Sequence, residues 1–540
     1  MLARSCPHER TRFAQRGAAV AFGACGVAML VSLLAIAGCG SHPPAAARSA
    51  HWLAGRAQPA FDPDGPPDAL RWALERQLSR GLTERDSTGR VRLGLADSVA
   101  VSPDSLTWTF RLPAGLAFTD GTPLASTHVS EALRAGLARE DHATRAWVLA
   151  AVAGVAKVRA GKPLPPLGID TPDARTLVLR LATPDRGLLE RLSVPGVSTP
   201  WKVRRGTWAD AVGAGPWRVL RADGVRALTL VAAAPCAGEE AAAETLHVRF
   251  TIGAPHVLTA LRARTADAVW PLPPELLAQP LSPDYHLAER EAVPARRLLL
   301  VLRADLPPTS RAEVRAALVR SIHHDELLAV LGTRGTPIHR WLPGASQPYV
   351  WARLGARSAG RGVEHRTAAG TPARTESYHV RLAYDADLTG AEVAGALQGR
   401  WARAGHYAER MPLRGAAAAR TALAAGAPQA QLVESQALFA GAAAELALFV
   451  LPVRGPAIGG FRTGWRTREF DRWVSLPEPG PGFDPDAAQA SLADGQVVLP
   501  LASIPWQLAI RNGASAPAVH PAFGPGWTVP ERALGSARSR

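Results

Sequence analysis

The chain has 540 residues, 47% hydrophobic and 20% charged, which allows two to four domains and a sizeable buried core. The formal net charge is +15, yet Lys157, Lys162 and Lys202 are the only lysines, and the arginines are scattered. Without a basic run or aromatic-basic interleaving, this balance argues against a nucleic-acid partner and for a compositional preference for Arg.

The chain opens with Arg4, Arg10, Arg12 and Arg16, followed by the uncharged apolar stretch GAAVAFGACGVAMLVSLLAIAG. A basic end, an apolar stretch and small residues make a secretory signal. The competing reading is a transmembrane anchor, since the stretch is about long enough to span a bilayer. Ile36-Ala37-Gly38-Cys39 favours secretion, because it resembles the bacterial lipobox, whose Cys thiol takes a diacylglycerol. The resemblance implies lipidation at Cys39, a lipoprotein signal peptide over 1–38 and a flexible tether over 39–48. Cys6 and Cys25 would leave with the signal, so Cys236 would be the one remaining thiol and no internal disulfide is expected.

Leu106, Trp108, Phe110 and Leu112 alternate with Thr107, Thr109 and Arg111, the period-two pattern of a half-buried strand. Asp120-Gly121 predicts a turn, and Ser126 or Thr127 a cap for the helix in HVSEALRAGL. RTLVLRLA at 175–182 predicts a second alternating strand, and RLLLVL at 297–302 a short apolar one. A helical pattern over 311–331 places Val314, Leu318 and Ile322 on one face, and a further helix is expected over 390–404. Residues 355–375 and 475–486 read as loops. Intermixed strands and helices with no internal period point to an α/β body.

The order of segments resembles the family 5 extracellular solute-binding proteins of bacterial ABC importers, of the dipeptide- and oligopeptide-binding type. The resemblance runs from about residue 58 to the end. It rests on Phe61-Asp62-Pro63, the run LSRGLTERDSTGRVRLGLADSVAVSPDSLTWTFRLPAGLAFTDGTPL, and LGIDTPDARTLVLRLATPDRGLLERL. GAGPWRV at 213–219, LRARTADAV, VRAALVRSIHHDEL, TREFDRWV and VVLPLASIPWQLAIRNG follow in the family's order. It implies a two-lobed α/β periplasmic-binding-protein fold with a hinge and an interlobe cleft, large and with an extra subdomain. Lobe I would take 49–292, with the subdomain at about 76–204, and again 501–540; lobe II would take 293–500. It also implies a lipid-anchored, extracytoplasmic monomer that captures a peptide or other small solute and passes it to a permease and ATPase complex.

Several positions depart from the family pattern. His128 stands where the helix after the turn usually has Asp, Ser321-Ile322-His323-His324 replaces Ala-Ile-Asp-Arg, and Arg303 replaces a strand-ending Asn. Adjacent histidines on a helix point about 100° apart, so His323-His324 is not read as a metal site. The acid that holds a peptide amino group in relatives would fall within VLPVRGPAIGGFR, which has none and carries Arg454 and Arg462. No Arg stands near Ala391-Glu392, where relatives hold the carboxylate. A cation without a carboxylate partner is costly to bury, so a neutral or anionic ligand is expected. Arg454, Arg462, Gly55 and Arg56 are the ligand-binding candidates, with Arg454 alternatively read as solvated. No catalytic motif, metal site or cofactor is expected. A divergent lipoprotein of this fold, acting as a sensor or envelope scaffold, is the alternative.

Overall fold

The computed structural model describes residues 49–526 apart from 66–67, 87, 138, 140–142, 160, 234–243, 278, 291–295, 333–334, 339, 343, 348–375, 387–389, 414–427, 437–441, 443–445, 447–462, 466, 474–481, 515–516 and 521–523. The chain enters along β1 (Ser49–Ala54) and α1 (Ala69–Leu78), then forms the hairpin β2 (Thr83–Arg85) and β3 (Val91–Leu93). Strands β4 (Ser98–Val101) and β5 (Thr107–Arg111), helix α2 (Ser126–Ala135), and strands β6 (Ile169–Asp173) and β7 (Thr176–Arg180) follow. Next come β8 (Trp217–Asp223), β9 (Ala227–Ala232), β10 (Thr245–Phe250), α3 (Ala254–Arg262), β11 (Ala268–Val269) and β12 (Tyr285–Arg290). After β13 (Arg296–Leu302) come α4 (Ala312–Arg320), α5 (His324–Leu331), β14 (Thr336–Pro337) and β15 (His379–Asp385). Helix α6 (Gly390–Arg403), β16 (Tyr407–Leu413), β17 (Ala430–Gln436), α7 (Pro485–Gly495), β18 (Val498–Ser503) and β19 (Trp506–Arg511) complete the two main sheets.

The first sheet has the order β12-β19-β11-β1-β10-β9-β8, and the second β14-β18-β13-β17-β15-β16. A four-stranded antiparallel sheet, β4-β5-β7-β6, stands beside them. Trp108 and Phe110 of β5 face inward, and so do Leu177 and Leu179 of β7, as their alternation predicts. Strand β13 is buried on both faces. Leu298, Leu300 and Leu302 join one apolar cluster with α4, α5 and α6. Leu299 and Val301 join another that is continuous through Trp341 and Val498 to Phe110 and Leu177 of the small sheet.

Two expectations are corrected. The pattern over 311–331 is two helices, because Ile322 N–H bonds back to Val319 O in a tight turn and Ser321 Oγ donates to Leu318 O. Neither Ser126 nor Thr127 caps α2: both lie inside the helix, whose N-cap is Ala125, and the Ser126 hydroxyl donates to Asp173 O. The departure at His128 supplies the cap instead, since its Nδ1 accepts from the N–H of Ala125 at 3.0 Å.

The Asp120-Gly121 turn forms as expected, with Thr122 N–H on Asp120 Oδ1 at 3.0 Å and Gly121 at φ 86°. GAGPWRV is a packing element. A Cβ on Gly213 would come within 2.4 Å of Leu78 O, and one on Gly215 within 2.4 Å of Leu78 C. That approach lets Gly215 N–H cap the carbonyl of Leu78 at the end of α1. At the other end, Phe61 packs edge-on to Trp201 while arginines clamp the following acids. Arg204 takes Asp64 in a forked pair, Arg139 takes Asp62, and Arg71 donates to Gly65 O.

Beneath that loop Glu75 lies 3.1 Å from Arg71 and is 2% exposed. Burial pushes its pKa up to about 7 from 4.5, opposed by Arg71 and Arg204. A raised folded-state pKa contributes stability that is full below pH 4.5 and is lost as pH rises through 7. The wild type is therefore expected to lose about 3 kcal/mol from this group over that window, and Glu75→Gln to show a flatter stability curve. Denaturant unfolding at a series of pH values reads the difference; parallel curves refute the assignment.

Candidate functional site at the seam between the sheets

The chain crosses between the two main sheets at two neighbouring places. Strand β12 leads to β13, and β18 leads to β19; β12 pairs with β19, and β13 pairs with β18. Arg296 binds the crossings together. Its carbonyl accepts from Ile504 N–H at 2.7 Å and its guanidinium donates to Pro505 O at 3.3 Å. The same guanidinium meets Glu434 at 2.7 Å and lies 4.5 Å over the ring of Trp506. Trp270 packs edge-on to Trp506, and its carbonyl accepts from Trp52 Nε1 at 2.7 Å.

Between the crossings and the outer strands, charged groups of the two sheets meet. Gly55 follows β1, and its N–H donates to Pro271 O at 3.0 Å. A Cβ there would stand 2.5 Å from that oxygen and 2.8 Å from Pro273 Cδ, so only glycine lets the backbone pass. The next residue, Arg56, reaches Asp385 Oδ2 at 3.2 Å and Asp68 Oδ2 at 4.0 Å. Asp68 also caps α1 by accepting from Arg71 N–H at 2.8 Å. Asp385 ends β15, held where Ala386 N–H donates to Leu413 O at 2.8 Å.

Of the ligand candidates, Gly55 and Arg56 therefore come together at the seam, whereas Arg454, Arg462 and the lipidation candidate Cys39 lie outside the described residues, as do Cys236 and the loop over 355–375. Motif reading missed Asp385 and Glu434. Their signal was an acid ending or interrupting an apolar strand, in LAYD and QLVES. Arg303 forms a local fork with Asp305, at 2.6 and 2.7 Å. His324 Nε2 lies 2.8 Å from Leu501 O. No group of His, Cys, Asp and Glu among the described residues could hold a metal. A shallow polar pocket at Pro307, Arg311 and Tyr378 lies at the opposite end of the second sheet and is not part of the seam. No described helix is long and apolar enough to cross a membrane.

Two sheets joined by a paired crossover, with charged groups facing each other across it, define a two-lobed α/β binding protein. The description "Bacterial extracellular solute-binding proteins, family 5 Middle" matches residues 90–432, and the chain belongs to this family. No curated protein matches it. Among solved structures, Haemophilus influenzae OppA in complex with the peptide RPPGFSPFR is 16% identical, with a TM-score of 0.71 over 89% of this chain and 98% of that one. The Escherichia coli murein tripeptide binding protein MppA is also 16% identical, with a TM-score of 0.71 over 90% and 98%. MppA in an unliganded open form, 17% identical over 90% and 97%, superposes less well, at 0.58. AgaA from A. tumefaciens, in complex with agropinic acid, is 18% identical, with a TM-score of 0.67 over 88% and 96%. At these identities the likeness is one of fold.

A methyl at Gly55 must displace Pro271 or Pro273. Gly55→Ala is expected to cost about 1–3 kcal/mol. Chemical denaturation measures the loss; an unchanged midpoint and slope would show that the seam relaxes freely.

Proposed function

We propose that this solute-binding protein is the extracytoplasmic capture component of an ABC importer, lipid-anchored through Cys39 and monomeric. A peptide or other small solute is enclosed between lobe I (49–292 and 501–540) and lobe II (293–500), and the closed form is offered to a permease and ATPase complex. The observation that supports this reading best is the paired crossover. Two adjacent connections restrict the lobes to a rotation about one axis, and closure about a solute is a population shift that a partner can read.

The charges at the seam bear on the class of solute. Asp385 faces Arg56 and Glu434 faces Arg296, so both acids already have a cationic partner. A ligand ammonium would have to displace an arginine, which favours neutral or anionic solutes, with Arg454 and Arg462 as further contacts. The same internal pairing is what supports the second reading, a lipoprotein of this fold that acts as a sensor or scaffold.

Calorimetry with the full chain in detergent is expected to show N-acetylated peptides binding at least tenfold tighter than their zwitterionic parents. Arg454→Ala should weaken an anionic solute by about tenfold. Tight binding of cationic and zwitterionic peptides, indifferent to Arg454→Ala, would sink the ligand assignment. Mass spectrometry should find a diacylglycerol-bearing Cys39 in the wild type and none in Cys39→Ser; an unmodified wild type rejects the anchor.

A further inference from the structure

We propose that Arg56 and Asp385 form a latch that holds the two lobes closed when no solute is present. The proposal rests on the hinge reading above and adds a conformational bias that solute capture alone does not require. The two residues are 329 positions apart in sequence and lie on different sheets, yet their charged atoms are 3.2 Å apart.

The position of the pair makes it sensitive to opening. In the first sheet, β1 lies two strands in from the crossing strand β19, and in the second β15 lies two strands in from β13. At the usual spacing between strands, both partners stand about 10 Å from the crossovers. The pair bridges the two sheets, so an opening that draws the ends of β1 and β15 apart must break it, whereas the contacts of Arg296 with Glu434 and Pro505 stay at the pivot. Arg56 and Asp385 are held from the backbone, through Gly55 N–H on Pro271 O and Ala386 N–H on Leu413 O.

Their side chains are 12% and 29% exposed, so solvent screens the attraction only in part. Asp68 Oδ2 lies 4.0 Å from Nη1 of the same guanidinium, whose Nη2 meets Asp385. One observation agrees with a closed arrangement. The apolar cluster that begins at the small sheet runs without a break into the second sheet.

A latched protein meets its solute mostly closed, so entry waits on spontaneous opening, and salt that weakens the pair should raise the open fraction. The test is a distance measurement between nitroxide labels at Val225→Cys and Tyr407→Cys, in the full chain in detergent. Cys6, Cys25, Cys39 and Cys236 are replaced by Ser in this background, and no solute is added. The unsubstituted pair should give mainly the shorter distance. Asp385→Asn and Arg56→Gln should each raise the open-to-closed ratio about fivefold, and the double variant no further. Arg56→Lys, which keeps the charge, should remain mostly closed and guards against a variant that fails to fold. Equal distances in all variants, additive effects of the two changes, or a parent already at the longer distance would overturn the latch. The readout needs no solute, so a chain that binds none of the peptides above would still reveal it.

Discussion

Arg296 occupies the place where the two halves of the molecule are tied together, and the rest of the architecture depends on how it is held. Its backbone carbonyl receives the N–H of Ile504 from the second crossing, while its side chain spans Glu434, Pro505 and the face of Trp506. The strands entering and leaving the crossings are neighbours in both sheets. Two adjacent tethers suppress twisting and sliding far more than they suppress bending, so the motion left to the lobes is rotation about the line joining them. A cation between an indole ring and a largely buried carboxylate is a stiff way to hold that line.

Contacts at the crossover persist whatever the lobes do, and contacts farther out exist in one arrangement and are lost in the other. In the latch proposed above, Arg56 and Asp385 belong to the second kind. Gly55 makes their meeting possible, because the backbone of the first sheet must pass beside Pro271 where no side chain fits. With that latch, the seam joins the anchor at Arg296 to a bridge a few strands away, the combination that the proposed binding by closure uses.

Much of the framework was legible in the sequence because it depends on short-range patterns. The alternation in LTWTFRL and RTLVLRL appears as β5 and β7, and the Asp-Gly turn forms with Thr122 bonded to Asp120. The failures were also local. Apolar spacing carries across a tight turn without registering it, so the break at Ser321 between α4 and α5 went unseen. Ser126 and Thr127 have the chemistry of a cap but lie inside α2, and His128 bonds the backbone at its start instead. The family departures at His128 and Arg303 have local explanations, as a helix cap and as a fork with Asp305.

The candidate site was legible only in part, and the reason is sequence separation. A basic start, an apolar stretch and Ile-Ala-Gly-Cys, the period of each strand, and the order of motifs are properties of neighbouring residues, and the sequence by itself determined them. Which acid faces which arginine is set beyond the local sequence: Arg56 and Asp385, 329 positions apart, meet where the two sheets dock, and Arg296 and Glu434, 138 apart, meet because β13 pairs with β17 within the second sheet. No local preference encodes such a pair, because an aspartate ending one strand looks the same whether it meets water or a guanidinium. Only the tertiary structure decided that Asp385 meets Arg56, since that depends on two strand ends of different sheets being brought within hydrogen-bonding distance by connections assembled elsewhere.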